Sequence, residues 1–246
     1  MAVQDQAGKE RIIFPLDVPG LAEAQQYVTS LGDRVGLFKV GLELFIKCGP
    51  DIIRMIRDES RAGIFLDLKL HDIPVTVERA MRVIVDHDIE MTTIHCGESL
   101  SMMKAAVKGA GGKTNVLGVT VLTSVGMKDL SKIGFGSEIS GNMQELVLMR
   151  ARMVFEAGCN GVVCSPKEVA QIKFRFPETF MAVTPGIRPT WEKVDQDDQK
   201  RTMTPVEAIR AGSDYLVIGR PIRNAADPLA AADRIAEEIE GALDEG

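Results

Sequence analysis

Three charged residues, Asp67, Lys69 and Asp72, follow an apolar run that starts at Phe65. Side chains two positions apart on an extended strand point to the same side, so Asp67 and Lys69 should lie together. Pro74 is typical of the first turn of a helix, which places Asp72 in the turn between strand and helix. Charges gathered in this way cost desolvation energy unless they pair. The segment is therefore either a reactive centre or an ion-pair network that only supports a loop.

A second group of residues suits the binding of phosphate. Gly219 and Arg220 lie at the end of the last predicted strand, and Arg188 lies in the turn after the strand before it. Glycine lets backbone N–H groups approach an anion, and a guanidinium can donate two hydrogen bonds to it. The polar segment 188–204 is long for a loop in a compact domain, and such loops are usually functional. We expect it to cover the ligand, with Gln199 contacting phosphate or base; the alternative is a surface insertion without a role.

The sequence does not indicate a metal ion or an organic cofactor. His71, His87 and His95 do not have metal-ligand spacing, and no His-Glu-x-x-His pattern occurs. His95 is as compatible with a packed side chain as with a ligand. Neither a Gly-x-Gly-x-x-Gly motif nor a P-loop is present, so a nucleotide cofactor is not expected.

Composition narrows the class of protein. The net charge of -6 argues against a nucleic-acid-binding protein, which needs a basic surface. Four cysteines without Cys-x-x-Cys spacing predict reduced thiols and a cytoplasmic location. No apolar run approaches the roughly 18 residues that span a membrane. Residues 1–10 are polar and lack the apolar segment of a signal peptide, so we expect an N-terminal extension.

Apolar runs alternate with helical patterns along the whole chain and form eight strand–helix units. The predicted strands are 11–17, 36–41, 63–69, 91–96, 116–122, 161–164, 180–184 and 215–219. Continuous apolar strands are typical of parallel sheets that are buried on both faces. Eight such units in 246 residues predict a single-domain (β/α)8 TIM barrel over residues 1–246, with a doubly wound open sheet as the alternative. The segment 123–140 is predicted to be a glycine-rich connection.

Active sites of these barrels lie at the carboxyl ends of the strands. The residues expected there are Asp17, Lys39, Asp67, Lys69, Asp72, Thr123, Arg188, Gly219 and Arg220. The first three strands therefore contribute acids and lysines, and the last two contribute glycine and arginine.

Several segments, spread from Phe14 to Ile222, resemble the orotidine 5′-monophosphate decarboxylase family in its common bacterial form. They are FPLD, FKVGLELF, FLDLKLHDIPVTV, VTVLTS, VTPGIRP, DDQKRTMTP and DYLVIGRPI. The Asp-x-Lys-x-x-Asp motif alone is shared with other sugar-phosphate enzymes of the superfamily, whereas the TPGIRP and IGRPI segments are more specific. Leu70 and Val75 depart from the phenylalanine and asparagine usual in the family, which puts the packing of a dimer-facing helix in question.

The resemblance implies decarboxylation of orotidine 5′-monophosphate to UMP without a cofactor. It implies that Lys69 donates the proton and that Asp67 faces the substrate carboxylate, with Lys39 and Asp72 beside them. The other roles that it implies are ribose contacts for Asp17 and Lys39, a pyrimidine contact for Thr123, and phosphate contacts for Arg188, Gln199, Gly219 and Arg220. Asp72 and Thr76 are expected to complete the site of a second subunit in a homodimer.

Two other functions remain open on the sequence. One is a magnesium-dependent sugar-phosphate decarboxylase or synthase of the same superfamily. The other is an inactive phosphate-binding barrel that acts as a sensor, although Asp67, Lys69 and Asp72 are all present.

Overall fold

Eight parallel strands pair in chain order, and the last pairs with the first, so that the sheet closes into a barrel. The computed structural model describes residues 7–97, 99–136, 142–191 and 202–245. The strands are β1 Ile12–Pro15, β2 Leu37–Gly41, β3 Gly63–Leu70, β4 Met91–His95, β5 Asn115–Val119, β6 Gly161–Val163, β7 Met181–Thr184 and β8 Tyr215–Val217. The predicted barrel is confirmed, and the open-sheet alternative is wrong because β1 and β8 are paired through Ile13 and Val217.

Helices surround the strands. They are α1 Ala7–Glu10, α2 Leu21–Leu31, α3 Leu42–Cys48, α4 Asp51–Glu59, α5 Pro74–Asp86, α6 Leu100–Ala110, α7 Met127–Lys132, α8 Met143–Glu156, α9 Val169–Arg175, α10 Pro205–Arg210, α11 Arg220–Arg223 and α12 Pro228–Asp244. Pro74 occupies the first turn of α5, as its sequence context predicts. Helix α7 lies in the segment predicted to be an irregular connection, and α1 lies in the predicted N-terminal extension. In the described part of the chain, no helix has the length and apolar character needed to cross a bilayer.

Alternating side chains divide the core into two parts. One set points into the barrel, and its buried members are Ile13, Leu37, Phe65, Met91, Leu117 and Val183. The larger set, which includes Phe14 and Phe38, packs between the strands and the helices. Both faces of each strand are therefore buried, which is why the strands are continuous apolar runs in the sequence. The filled interior leaves the carboxyl ends of the strands as the place for a ligand.

The pairing of β3 with β4 is irregular where the charged motif begins. Leu66 pairs with Thr92 and Leu70 with Ile94, so three residues of β3 lie opposite one residue of β4. Within this bulge Lys69 has a backbone φ of 50°, in the left-handed region. Such a conformation costs a side-chain-bearing residue about 1–3 kcal/mol and is found mainly at functional sites. The bulge, and not simple strand alternation, sets the direction of the Lys69 side chain.

Candidate active site

Four side chains of alternating charge form a continuous row across the carboxyl ends of β1, β2 and β3. Lys39 Nζ lies 3.1 Å from Asp17 Oδ1 and 3.9 Å from Asp67 Oδ2. Lys69 Nζ lies 2.8 Å from the same Asp67 oxygen. The predicted grouping of Asp17, Lys39, Asp67 and Lys69 is thus present in the structure, and Asp67 lies between two ammonium groups.

The centre of this row is sheltered from water. The side chains of Lys39 and Asp67 are each 13% exposed, whereas that of Asp17 is 57% exposed. Electrostatic interactions are stronger where water is excluded, so the charges at Asp67 act on one another more strongly than at the rim. Lys69, at 27% exposed, keeps its ammonium open to a ligand at the barrel mouth.

Thr93 on β4 contacts both members of the Asp67–Lys69 pair and was not predicted from the sequence. Its hydroxyl donates to Asp67 Oδ1 at 2.8 Å and accepts from the backbone N–H of Lys69 at 2.9 Å. The signal available in the sequence was Thr92-Thr93, two polar residues between the apolar Met91 and Ile94 of β4. Such a pair does not reveal which hydroxyl faces the site.

Three adjoining cavities surround the row of charges, with volumes of about 240, 170 and 250 Å³. Lys39 lines all three. The first cavity contains Lys69 and Thr123 among largely apolar neighbours, which suits a flat, weakly polar ring. The second contains Asp17 and Lys39, whose charged ends can contact hydroxyl groups. Thr123 lines the first cavity, and its contact with the pyrimidine stays a prediction.

The third cavity gathers arginines at the ends of β7 and β8. It is lined by Arg188, Gly219, Arg220 and Arg223. A Cβ atom at position 219 would lie 2.7 Å from Pro15 Cγ, so the close approach of the β8 end to β1 requires glycine. Arg223 was not predicted; its Nη1 donates to the backbone oxygen of Asp17 at 2.6 Å. This cavity can accept a doubly charged anion such as phosphate.

Asp72 stands apart from the row. Its Oδ1 accepts from the backbone N–H of Ile73 at 2.6 Å. Among the described residues, no ion pair within 4.0 Å joins Asp72 to Lys69. Asp72 and Thr76 are both exposed, and the apolar side chains of Ile73 and Val75 between them are 63% and 49% exposed. Val75 lies in this surface, whereas Leu70 is the last residue of β3 and packs against the core between strands and helices.

The segment after β7 is only partly described. Gln199 and its neighbours 192–201 lie outside the described residues. The two ends of the segment are joined, because Arg188 N donates to Met203 O at 2.9 Å and Ile187 bridges to Met203. Trp191 packs on α12, where its Nε1 donates to Glu238 at 2.5 Å.

His95 ends β4 beside the site. Its ring centroid lies 5.6 Å from that of His71. Burial lowers the pKa of His95, and the charges of His71, Lys69 and Arg150 lower it further, against a smaller opposing effect of Asp67. Within the described residues, no group of three or more His, Cys, Asp or Glu side chains is placed to hold a metal ion.

Fold and site together define a class of protein: a (β/α)8 barrel enzyme with a lysine–carboxylate row and an arginine-lined cavity at its mouth. The chain belongs to the orotidine 5′-phosphate decarboxylase / HUMPS family, whose sequence profile matches residues 10–235.

Relatives of known name cover nearly the whole chain. The orotidine 5′-phosphate decarboxylase of Desulfosudis oleivorans is 50% identical over 98% of this chain and 97% of its own length. The enzyme of the same name from Pelobacter propionicus is 43% identical over 96% and 97%. The crystal structure of orotidine 5′-phosphate decarboxylase from Lactobacillus acidophilus superposes with a TM-score of 0.80 at 35% identity, covering 93% of this chain and 98% of that one.

The environment of His95 predicts a pH dependence of stability. Because its pKa is lowered in the folded state, the unfolded chain binds the proton more readily as the pH falls through about 6.5. The free energy of unfolding should therefore decrease from pH 7 towards about pH 5, and His95→Asn should reduce this decrease. Urea denaturation of the wild type and of His95→Asn across this pH range measures the free energy of unfolding. If that free energy falls equally steeply with decreasing pH in both proteins, the prediction is wrong.

Proposed function

We propose that this chain decarboxylates orotidine 5′-monophosphate to UMP and carbon dioxide. The observation that carries the proposal is the contact between Lys69 Nζ and Asp67 at 2.8 Å, in a cavity that continues to the arginine-lined cavity. Membership of the family and the names of the relatives support it. The same names favour this reaction over that of a magnesium-dependent sugar-phosphate lyase.

In the proposed reaction the bond between C6 and the carboxylate carbon breaks, and its electron pair stays on C6. The Lys69 ammonium stabilises this developing negative charge and then transfers a proton from Nζ to C6, which yields UMP. Water returns the proton to the amine. An electron-accepting cofactor is not needed if the fixed ammonium supplies this stabilisation.

Asp67 contributes by facing the carboxylate that leaves. Two like charges about 4 Å apart repel by ~4 kcal/mol at an effective dielectric constant of 20. This repulsion disappears as neutral carbon dioxide departs, which favours the transition state over the bound substrate. Lys39, 3.9 Å from Asp67, holds the carboxylate in place through its ammonium group.

We propose that the rest of the substrate lies in the adjoining cavities. The pyrimidine occupies the cavity with Thr123, and the ribose hydroxyls contact Asp17 and Lys39. The phosphate binds Arg188, Arg220 and the backbone at Gly219, with Gln199 as a further contact. Because the phosphate is remote from C6, its binding energy can be used to assemble the site around the reacting carbon.

We further propose that the active form is a homodimer in which Asp72 and Thr76 complete the site of the second subunit. Asp72 does not reach Lys69 of its own chain, and the exposed Ile73 and Val75 between them offer apolar surface for an interface. None of the four cysteines, all of which lie in the described part of the chain, forms a disulfide, and this supports a reducing, cytoplasmic compartment. The whole chain, residues 1–246, acts as one catalytic domain.

Replacing Lys69 should abolish turnover without abolishing binding. Lys69→Ala removes both the stabilising charge and the proton. The absorbance of the orotate ring should therefore no longer decrease when this variant is mixed with orotidine 5′-monophosphate, while UMP still binds through the arginine-lined cavity. The exposed Lys104→Ala on α6 is the matched control and should retain wild-type rates.

The same assay in the presence of EDTA distinguishes the proposed decarboxylation from the reaction of a magnesium-dependent sugar-phosphate lyase. Activity of the wild type that persists in EDTA agrees with the proposal, and a metal requirement favours the sugar-phosphate lyase. Turnover by Lys69→Ala would remove Lys69 from its role as proton donor.

Replacing Arg220 should weaken catalysis through the phosphate. Arg220→Ala removes a charge-assisted contact, so the activation free energy reported by kcat/KM should rise by about 3 kcal/mol. This change lowers kcat/KM ~150-fold. The control is Arg210→Ala, because Arg210 is an exposed partner of Glu245 outside the site. A value of kcat/KM near that of the wild type would contradict the phosphate assignment.

Mixing two inactive variants tests the shared site. Lys69→Ala and Asp72→Asn should each have little activity, but a mixed dimer pairs an intact Lys69 with an intact Asp72 in one of its two sites. After random reassortment about one quarter of all sites should be active. No recovery of activity, with exchange of subunits verified, would contradict the dimer proposal.

A further inference from the structure

We propose that Thr93 is a positioning residue for the reaction, whose single hydroxyl fixes both the Asp67 carboxylate and the Lys69 backbone. The proposal rests on the proposed decarboxylation, because it concerns the same site. It assigns a role to a residue of β4, a strand that contributes none of the predicted contacts to the substrate.

The strand places the Thr93 side chain inside the barrel, directly below the site. Met91 belongs to the interior cluster, and alternation along β4 directs Thr93 inward as well. Thr92 points outward, and its hydroxyl donates to the backbone oxygen of Leu66 at 2.8 Å. Both threonines are fully buried, so each hydroxyl must find its partners within the protein.

The hydrogen-bond directions at Thr93 are determined by its partners. The backbone N–H of Lys69 can only donate, and an ionised carboxylate can only accept. The Thr93 hydroxyl therefore accepts from Lys69 N at 2.9 Å and donates its one proton to Asp67 Oδ1 at 2.8 Å. An aliphatic side chain at this position can make neither bond.

Both oxygens of Asp67 are thereby engaged. Oδ1 is held by Thr93, and Oδ2 is held by Lys69 Nζ at 2.8 Å. The carboxylate cannot rotate about its terminal bond without breaking one of these contacts. Thr93 thus determines which oxygen faces the ammonium and the departing carboxylate of the substrate.

The second bond supports the unusual backbone of the bulge. Three residues of β3 lie opposite Thr93 alone, so the ladder between the strands does not supply a regular partner for Lys69 N. The Thr93 hydroxyl replaces that partner where Lys69 has a φ of 50°. Since the backbone directs the side chain, this bond helps to aim the ammonium at C6.

The test compares variants that differ by one hydroxyl. Thr93→Val keeps the branched shape and removes both bonds, whereas Thr93→Ser keeps the hydroxyl and removes only a methyl group. We expect Thr93→Val to lower kcat by about 100-fold, the cost of misplacing reacting groups by roughly 1 Å, with KM within about 3-fold of the wild type. Thr93→Ser should restore kcat to within about 5-fold of the wild type, because the conservative residue can reposition the groups.

Thr92→Val is the matched control, because it removes an equally buried hydroxyl from the same strand without touching the site. It should lower the melting temperature about as much as Thr93→Val and leave kcat within about 3-fold. The number of active sites is counted in each variant by UMP titration, so that partial unfolding is not mistaken for a low kcat. If Thr93→Val does not fold, Thr93→Ala and Thr93→Ser differ by the same hydroxyl and replace the comparison.

Three results would overturn the proposal: an unchanged kcat in Thr93→Val, an equal loss in Thr92→Val, or a loss confined to KM. A wild-type protein that does not decarboxylate orotidine 5′-monophosphate would instead refute the proposed function. Crystal structures then test the positioning itself. Thr93→Val should lose the 2.8 Å contact between Asp67 and Lys69 or the φ of 50° at Lys69, and retention of both would overturn the role of Thr93.

Discussion

The contact between Asp67 and Lys69 is the interaction on which the rest of the site depends. The Asp67 carboxylate, at 13% exposed, loses much of its hydration, and contacts with ammonium groups and a hydroxyl replace the water that it loses. The ammonium is kept close by the same attraction. Lys39 on the other side of Asp67 and Asp17 beyond it extend this pairing, so that the row is electrically balanced before a ligand arrives.

The proposed substrate complements the positive charge that lies beside the row. The row of two acids and two lysines has no net charge, whereas the neighbouring cavity contains Arg188, Arg220 and Arg223. A substrate with a carboxylate at one end and a phosphate at the other brings most of its negative charge to these arginines. In the proposed complex, binding is thus strongest far from the reacting carbon, and the carboxylate lies beside Asp67, where its departure relieves repulsion. The net charge of the whole chain, -6, does not predict this local cluster of positive charge.

Much of the fold and part of the site could be predicted from the sequence. Continuous apolar runs indicate strands buried on both faces, and the spacing of Asp67 and Lys69 placed them together at a strand end. The bulge that actually orients Lys69 was not predictable, because it arises from the pairing of β3 with Thr93 on another strand. Arg223 was missed because α11, Arg220–Arg223, is too short to produce a helical pattern.

Closure of the barrel makes one site from residues that are distant in the chain. The charged row comes from β1, β2 and β3, and the arginine cavity comes from the ends of β7 and β8. Pairing of β1 with β8 brings these two groups together, and the bond from Arg223 to the backbone of Asp17 joins them directly. In an open sheet of the same strands the first and last strands need not be neighbours, and the row could lie far from the anion-binding groups. The catalytic geometry therefore requires the closed sheet, and glycine at position 219 is needed because the β8 end passes against Pro15 at that junction.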